Sequence, residues 1–347
     1  MPADLSVPLV SVVIPHYGGR DILNKCLQSL EKSTYPNLEI ILVNNASPDD
    51  SVEMVNKSFP RVKIVESTEN RGFSGGCNLG AKEAKGEYLL LLNNDTLHEA
   101  GWIELLVSIL DTNPNIASVQ PKIKNVDSPE YFDYAGACGG YMDWLCFPFA
   151  RGRIFSMVEK DEQQYETAEK IFWASGTAFL TRSSVYQKLN GLDETLFAHM
   201  EEIDYHWKSQ LAGFEVWVEP QSVIYHHGGA TLPKSSPQKT YLNHRNSLIL
   251  LLTNKSWEDT ITAVFPRMIL EFTAFVSELL KLNIFHGFAI LRAWIWVIIH
   301  PAYLLSRRKF LAEHAGFSPC LLFSESIVLA FFLRGKKTFN ELNYHPV

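Results

Sequence analysis

The sequence has few cysteines and no spacing pattern among them. Its 347 residues include five cysteines, an odd number, and no Cys-x-x-Cys pair. This scarcity argues against a disulfide framework and against a structural zinc site. The first residues, Met1 to Asp4, lack a basic segment followed by an apolar one, so we expect no signal peptide. The chain also shows no internal repeat and no low-complexity tract.

Two common nucleotide-binding signatures are missing as well. The segment Glu69 to Gly80 is rich in glycine, but it matches neither the Gly-x-Gly-x-x-Gly dinucleotide fingerprint nor the phosphate loop Gly-x-x-x-x-Gly-Lys-Ser/Thr. The sequence therefore supports neither a nicotinamide enzyme nor a phosphate-loop ATPase. We expect these glycines to form a loop before a helix, where exposed N–H groups suit a phosphate. An ordinary tight turn fits the same residues.

Three apolar segments end abruptly in polar residues. They are Val10 to Tyr17, Ile40 to Asp50 and Leu89 to Asp95. The first two each continue into a helical stretch, and this repeated order predicts an α/β fold with a mostly parallel sheet. Because ligands bind outside the carboxyl ends of such strands, the polar residues should meet in one crevice. They are Tyr17, Asn45, Asp49 and Asp95, although a lone strand-end aspartate also fits a helix N-cap.

Three carboxylates lie within four residues just before a predicted helix. Glu201, Glu202 and Asp204 form this group. On the first turn of a helix such a cluster is a common surface pattern, because the helix dipole favours it. Its aromatic and apolar flanks, however, can raise the pKa of one carboxylate toward that of a general base.

In their order along the chain, these motifs resemble the family 2 glycosyltransferases with the GT-A fold. The likeness is strongest to the bacterial branch that includes rhamnosyl- and galactofuranosyltransferases, and it covers about residues 8 to 250. It implies a Rossmann-like, mostly parallel sheet flanked by helices. The motifs are Pro-His-Tyr, Val-Asn-Asn-Ala-Ser-Pro-Asp, Asn-Arg-Gly-Phe-Ser-Gly-Gly-Cys-Asn, Leu-Asn-Asn-Asp, Ser-Gly-Thr, Glu-Glu-Ile-Asp and His-His-Gly-Gly.

The resemblance implies a divalent cation, Mg²⁺ or Mn²⁺, that bridges the donor diphosphate. Asn93-Asn94-Asp95 stands where the family carries Asp-x-Asp, so only the last acid, Asp95, is present. One or two carboxylates with phosphates and waters suffice for such an ion. His226 aligns with a family histidine that completes the metal site, although a satisfied loop histidine is the alternative reading.

The resemblance also assigns the chemistry. Glu202 matches the general base that removes a proton from the acceptor hydroxyl, and a single displacement of this kind inverts the anomeric configuration. Glu201 and Asp204 are then supporting acids, and Asp204 orients the helix or contacts the acceptor. Arg245-Asn246 falls where the family often has an Arg-Asn pair near the acceptor side.

Donor contacts are implied at further positions. Pro15 and Tyr17 would lie against the nucleobase, while Asn45 and Asp49 would bond to base or ribose. Asn44 stands where the family usually has an aspartate. This difference puts the contacts to the nucleobase in doubt more than the sugar transfer itself. The remaining donor-binding candidates are Arg71, Gly72, Asn78 and Asn94.

We expect a catalytic domain over residues 1–255, with a nucleotide-sugar half to about 115 and an acceptor half from about 116, and a helical region over 256–347. The aromatic-rich stretch from Lys122 to Lys170 should shape the acceptor pocket. A hydrophobic content of 46% is enough for a large core.

The C-terminal tail is basic and apolar. From Ile261 to Val347 it holds nine Lys and Arg against five Asp and Glu, whereas the whole chain has a net charge of −7. Ala289 to Leu305 is a marginal span, so we expect helices lying in a membrane interface, with Arg307, Arg308 and Lys309 near the headgroups. A second apolar stretch, Leu321 to Leu333, is again followed by basic residues. A buried helical subdomain or a dimer interface is the alternative.

These observations together predict an inverting, metal-dependent glycosyltransferase of the hexosyltransferase class. It would be a cytoplasmic, peripheral protein of the inner face of a bacterial membrane, active in cell-wall or polysaccharide synthesis. The expected donor is a dTDP- or UDP-sugar, with rhamnose first, and the acceptor a glycan or polyprenyl-linked sugar. No nucleic-acid partner is expected. The rival hypotheses are an inactive nucleotide-sugar-binding protein and a nucleotidyltransferase.

Overall fold

The computed structural model describes residues 7–228, 236–316 and 322–344. Three parts of the sequence discussed above lie outside these ranges: Met1 to Asp4, Gly229, and Cys320 with Leu321. In the described ranges the chain forms a large mixed sheet flanked by helices, a small antiparallel sheet and a set of C-terminal helices.

The first half of the chain alternates strands and helices as the sequence predicts. Its elements are β1 (Val10–His16), α1 (Arg20–Leu30), β2 (Leu38–Asn44), α2 (Ser51–Ser58), β3 (Lys63–Glu66), α3 (Gly72–Glu83) and β4 (Tyr88–Leu92). The four strands are parallel in the order β4-β1-β2-β3. Their carboxyl ends therefore meet at one edge, which confirms the predicted crevice.

The second half of the chain extends this sheet on the β4 side with mixed strand directions. It contributes β5 (Thr96–His98), α4 (Trp102–Thr112), β6 (Ile116–Asn125), β11 (Glu169–Lys170), β12 (Ala178–Arg182), α5 (Ser183–Lys188), α6 (Glu201–Leu211) and β13 (Glu215–His226). Strand β12 lies antiparallel between β4 and β6, and β13 runs parallel to β6. Both Asp95, just after β4, and His226, at the end of β13, thus reach the same rim.

The alternating side chains of the strands fill two apolar cores, one on each face of the sheet. Val12 and Ile14 pack with α1, α2 and α4, whereas Val13 packs on the opposite face toward α3, α5 and the small sheet. The central strands are buried on both faces, as parallel strands between helices usually are. This rigid layer holds the strand-end residues in place.

The predicted acceptor-side insertion forms the small sheet. Its strands are β7 (Gly140–Met142), β8 (Pro148–Ala150), β9 (Arg153–Ile154) and β10 (Met157–Val158), in antiparallel order. The C-terminal segment packs back onto it: Phe323 and Ile327 join its apolar core, and Asp143 Oδ2 accepts a hydrogen bond from the Ile327 backbone at 2.9 Å.

In the described ranges, five α-helices follow α6. They are α7 (Pro237–Thr253), α8 (Trp257–Leu280), α9 (Ile284–Ile299), α10 (Pro301–His314) and α11 (Ile327–Phe332). In the described ranges no single helix combines the length and apolar character of a membrane span. The pair α9 and α10 meets that test together, but is bent by 69° at the break.

Two sequence-based expectations are wrong in detail. The glycines after Asn70 do not form a loop, because α3 already begins at Gly72. They let α3 approach the sheet instead: a Cβ at Gly80 would clash with Val13 and press on Val43. In addition, Arg307 and Arg308 are buried and do not face headgroups, whereas Lys309 is exposed.

Arg307 joins α10 to α6. Its guanidinium contacts the carboxylates of Asp193 and Asp204, the latter at 2.5 Å, and Asp204 is fully buried. Burial alone would raise the pKa of Asp204, but Arg307 and Lys208 outweigh it and lower the pKa to about 2. The ion pair therefore compensates a charge that the core could not otherwise hold.

We predict that Arg307→Leu lowers the free energy of unfolding by about 3–5 kcal/mol, because Asp204 would be left as an uncompensated buried charge. Urea denaturation followed by tryptophan fluorescence measures this. Lys309→Leu is the matched control on the same helix and should change stability by less than about 0.5 kcal/mol. Equal, small effects of both substitutions would contradict a structural role for the ion pair.

Candidate active site

A cavity of about 640 Å³ opens at the carboxyl ends of β1, β2 and β4. The small sheet, the start of α6 and one side of α7 close its far wall. Eight of the predicted site residues line it: Pro15, Tyr17, Asn45, Gly72, Asn94, Asp95, Glu202 and His226. Four do not: Asp49, Arg71, Asn78 and Asp204.

Asp95 and His226 form a close polar pair at the cavity floor. His226 Nε2 lies 3.1 Å from Asp95 Oδ1, and Nδ1 on its other side lies 2.8 Å from Asp133 Oδ1. Burial alone would lower the pKa of His226, but the two carboxylates outweigh it and raise the pKa to about 10. The histidine is thus held in one orientation by a carboxylate behind it.

Once a divalent cation displaces the Nε2 proton of His226, this pair fits part of its coordination sphere. Two ligand atoms at adjacent corners of an octahedron with bonds of about 2.1 Å lie roughly 3 Å apart, close to the separation of Asp95 Oδ1 and His226 Nε2. Asp95 Oδ1 also accepts no hydrogen bond with good geometry. No set of three or more acidic, histidine or cysteine side chains suited to a metal occurs in the described residues. Phosphates and waters would have to supply the other ligands.

Glu201 and Glu202 start α6 and also line the cavity. One oxygen of each, Oε2, is buried and has no hydrogen-bond partner among the described residues. Burial raises the pKa of Glu202 to about 7, although backbone N–H groups of α6 and Gly176 partly offset it. Burial and the neighbouring Glu202 raise the pKa of Glu201 well above its usual value. This agrees with the effect expected from the apolar flanks.

The loop in front of these carboxylates is strained. Phe197, His199 and Met200 all have φ between 65° and 73°, the left-handed region that side chains other than glycine rarely adopt. Such residues cost of order 1 kcal/mol or more each and persist where the surroundings enforce them. Local backbone preference therefore does not explain the position of Glu202.

Hydrogen bonds from helix α7 hold this loop in its strained conformation. The Asn246 amide donates to the carbonyls of Leu196, Ala198 and His199, at 3.0, 3.1 and 2.6 Å. Arg245 donates to the Leu196 carbonyl at 3.1 Å. Arg245 and Asn246, which the resemblance places near the acceptor side, thus fix the loop that precedes Glu202, the candidate base.

The buried His16 at the end of β1 links the segment after β4 to the start of α2. Asn94 Nδ2 donates to His16 Nδ1 at 2.7 Å, so His16 Nε2 carries the proton and donates to Ser51 Oγ at 2.8 Å. Burial lowers the pKa of His16 to about 4, which keeps the ring neutral. Asn45 similarly ties the chain together, since its amide donates to the Gly72 carbonyl at 2.8 Å.

The four predicted residues outside the cavity have other partners. Asp49 accepts N–H groups of Gly19 and Arg20 at the start of α1, at 2.7 and 3.2 Å. Arg71 pairs with Glu194 at 2.6 Å.

The other two are held as firmly. Asn78 donates to the Leu192 carbonyl at 2.8 Å. Asp204 faces Arg307, away from the acceptor space. The expected donor and acceptor contacts of these four residues are therefore wrong in this structure. Their polar atoms bond to other protein groups and hold the loops around the cavity.

Sequence reasoning missed several residues of the site. His16 stands inside a recognised motif, but nothing in its spacing indicates that its ring links Asn94 to Ser51. Asp133 and Arg153 line or support the cavity from the irregular insertion, where no periodic pattern exists. His199 also lines the cavity with its buried Nε2 unpaired in the described structure.

Comparison with known proteins identifies the family. A model described as Glycosyl transferase family 2 matches residues 11–189, which is more than half of the chain. The chain belongs to glycosyltransferase family 2. It is therefore a glycosyltransferase.

Curated relatives support the same family at modest identity. The chain is 22% identical over 264 residues to an N-acetylglucosaminyl-diphospho-decaprenol L-rhamnosyltransferase of Mycobacterium tuberculosis, with 72% of this chain and 85% of that protein covered. It is 32% identical over 115 residues to a glycosyltransferase of Haemophilus influenzae, covering 32% of this chain and 36% of that protein.

Solved structures show the GT-A fold. GalNAc-T7 with UDP, GalNAc and Mn²⁺ superposes with a TM-score of 0.58 at 17% identity, over 91% of this chain and 59% of that one. Staphylococcus aureus TarS 1-349 in complex with UDP has a TM-score of 0.50 at 19% identity, over 70% of this chain and 65% of that one. This family 2 glycosyltransferase thus has the predicted architecture.

Proposed function

We propose that the protein is an inverting, metal-dependent hexosyltransferase that passes a sugar from a nucleotide sugar to a lipid-linked or cell-surface glycan. The observation that carries this proposal is that two features line one cavity. One is the pair of Asp95 and His226, and the other is Glu202, whose pKa is raised to about 7. That arrangement combines a site for the leaving diphosphate with a base for the attacking hydroxyl.

The proposed mechanism follows from these positions. Asp95 and His226 would hold a divalent cation, which supplies charge stabilisation to the departing diphosphate. Glu202 accepts the proton of the acceptor hydroxyl while that oxygen attacks the anomeric carbon. The strained loop from Phe197 to Met200 keeps the base in place, and Asn246 keeps the loop in place. One displacement from the face opposite the leaving group inverts the anomeric centre.

The donor and acceptor are proposed from the relatives together with the site. The printed activity of the Mycobacterium tuberculosis relative makes rhamnose the first sugar to test and a polyprenyl diphosphate sugar the first acceptor. Pro15 and Tyr17 offer an apolar wall for the nucleobase of a dTDP- or UDP-sugar. Solved neighbours contain UDP and Mn²⁺, which supports both the donor class and the cation.

A release assay tests the function. The full chain is incubated with dTDP-rhamnose, UDP-glucose, UDP-GlcNAc or GDP-mannose, Mn²⁺ and a bacterial lipid extract, and free nucleoside diphosphate is measured. Acceptor-dependent release from one donor is expected. Nucleotide binding without release from any donor would favour the inactive binding protein. Release of inorganic pyrophosphate from a nucleoside triphosphate and a sugar phosphate would favour a nucleotidyltransferase.

We predict that kcat/KM falls about tenfold per pH unit below pH 7, because Glu202 must be ionised to accept a proton and its pKa is raised to about 7. Glu202→Gln should lower transfer about 10²- to 10⁴-fold and remove this acid limb, with nucleotide affinity unchanged. Initial rates from pH 5 to 9 measure both effects. If Glu201→Gln abolishes transfer while Glu202→Gln keeps it, Glu201 is the base.

We predict that Asp95→Ala removes most of the Mn²⁺-dependent gain in nucleoside diphosphate affinity, because it deletes the carboxylate of the proposed cation site. Calorimetry with and without Mn²⁺ measures this gain. Asn93→Ala is the matched control, since it changes the same motif but leaves Asp95 and His226 intact. An equal metal-dependent gain in wild type and Asp95→Ala would rule out the site.

We propose in addition that the enzyme works on the inner face of a bacterial membrane, through the hairpin of α8 and α9. Large apolar side chains are exposed along one stripe of each helix, including Ile261, Phe265, Phe272, Phe288, Ile295 and Ile298. At the tip, Leu280, Leu282 and Phe285 are 79%, 82% and 78% exposed. Apolar surface of this extent is unusual on a monomer.

The charges near the hairpin support a lipid surface. From Ile261 to Leu280, α8 has two acidic side chains: Glu271 is buried with Arg267 and His244, and Glu278 is partly exposed and pairs with Lys281 at 3.1 Å. The exposed acids Glu258 and Asp259 lie at the start of the helix, far from the tip. Lys281 at the tip and Arg292 on α9 are exposed. Apolar burial, more than the basic cluster expected from the sequence, would then drive attachment, with these two cations facing anionic headgroups.

We predict that replacing Leu280, Leu282 and Phe285 by Ser lowers vesicle binding more than tenfold, because full burial of each such side chain is worth about 1.5–3 kcal/mol. Co-sedimentation with anionic and neutral vesicles measures this. Leu105→Ser, an exposed site on α4, is the control. Absence of wild-type binding to both vesicles, with a dimer in size-exclusion chromatography that the triple variant loses, would assign the hairpin to self-association.

A further inference from the structure

Arg153 is a buried cation without a carboxylate partner. Its side chain belongs to β9, only 8% of the residue is exposed, and no carboxylate of the described residues lies within 4.0 Å of its nitrogens. Three other buried arginines pair with carboxylates: Arg151 with Glu169, Arg267 with Glu271, and Arg307 with Asp193 and Asp204. A fourth, Arg245, donates to Asn246 and to the carbonyls of Thr195 and Leu196. A buried charge that lacks a counter-charge is costly.

Arg153 lines the cavity with few partners for its guanidinium. Its Nη1 donates to the Phe155 carbonyl at 3.3 Å, the side chain is also hydrogen-bonded to Tyr134, and Nε is buried without an acceptor in the described structure. Its guanidinium carbon lies 4.6 Å from the centre of the Tyr134 ring. The neighbouring acid, Asp133, is already engaged by His226. An anion in the cavity would supply the missing acceptor and charge.

A second cation stands on the same ring. Lys239, in the first turn of α7, has its Nζ 5.8 Å from the centre of the Tyr134 ring and also lines the cavity. Arg153 and Lys239 thus contribute two positive charges to a wall built from the small sheet and α7. Guanidinium and ammonium groups side by side are typical of sites for phosphate oxygens.

The position of this wall identifies which substrate carries the anion. Pro15, Tyr17 and Asn45, the proposed nucleobase and ribose contacts, lie at the ends of β1 and β2, whereas Arg153 and Lys239 belong to the small sheet and α7. An apolar path leads outward from Arg153: the Phe155 ring lies 5.1 Å from that of Phe331 and 5.3 Å from that of Phe332. Phe332 is 66% exposed. A phosphate attached to a lipid fits this combination.

We propose that Arg153, together with Lys239, binds a phosphate group of the acceptor substrate, with Phe155 and Phe332 guiding its lipid chain. This site rests on the proposed function, because it takes the second substrate of the transfer. It adds a recognition element for the acceptor that is distinct from the cation site at Asp95 and His226.

The test uses the full chain and measures binding, so that it does not depend on turnover. Farnesyl diphosphate is titrated by calorimetry with the donor side saturated by UDP and Mn²⁺, and again without nucleotide, so that a wrong nucleotide assignment does not hide the result. Wild type should bind in both cases. Arg153→Gln should weaken this binding at least about tenfold, as expected for loss of a charge-assisted contact. Arg153→Lys should weaken it less.

Two further ligands separate binding of the lipid chain from binding of the phosphate. Farnesol tests the lipid without phosphate and should bind independently of Arg153, whereas pyrophosphate tests phosphate without lipid and should show the Arg153 dependence at lower affinity. Arg61→Gln, an exposed arginine outside the cavity, is the control and should leave all affinities unchanged. UDP affinity of Arg153→Gln should stay within about twofold of wild type, which is well below one tenfold step.

Thermal unfolding provides a second readout, the melting temperature, which separates a ligand-binding arginine from one that only stabilises the fold. Removing an uncompensated buried charge should leave the melting temperature of Arg153→Gln unchanged or raised. The proposal is overturned if the melting temperature falls while farnesyl diphosphate affinity is unchanged, or if the affinity for UDP falls in place of that for farnesyl diphosphate. Absence of binding of both phosphate probes to wild type would also overturn it.

Discussion

The structure depends on burying three carboxylates at the start of one helix. Glu201, Glu202 and Asp204 are all buried at the start of α6, and in the described structure only Asp204 is paired with cations, Arg307 and Lys208. Burial raises the pKa values of the other two, that of Glu202 to about 7. The ion pairs of Asp204 thus anchor α6, while the lack of a paired cation at Glu202 gives it the pKa that the proposed base requires.

The surrounding elements can be understood as supports for this helix start. The strained backbone from Phe197 to Met200 would relax if it were free, and Asn246 of α7 prevents this through three carbonyl contacts. On the other side, Arg71 and Asn78 hold the turn at Leu192 and Glu194. Arg71 and Asn78, which the sequence suggested as substrate contacts, therefore contact the loops that shape the cavity.

The sequence predicted those features that local patterns encode. Apolar runs ending in polar residues located the strand ends, so Asp95 and Asn45 were found correctly at the cavity. The crowding of acids before an apolar helix located Glu202. Contacts across long stretches of chain were not predictable in this way. Periodicity contains no information that pairs Arg307 with Asp204, or that sets Asp133 behind His226. The glycines of α3 were misread because close helix–sheet packing and a phosphate loop need the same small residue.

The pairing of α10 with α6 has a consequence for the synthesis of the protein. Arg307 follows Asp204 by 103 residues, and the segment around Ile327 that packs on the small sheet comes later still. Chains emerge from the ribosome amino end first, and their early parts begin to fold at once. The nucleotide half can therefore form its sheet during translation, whereas the helix that carries Glu202 reaches its final environment only after α10 has been made. A nascent chain that has not yet reached α10 can therefore hold a folded sheet while Asp204 still lacks the positive charge of Arg307.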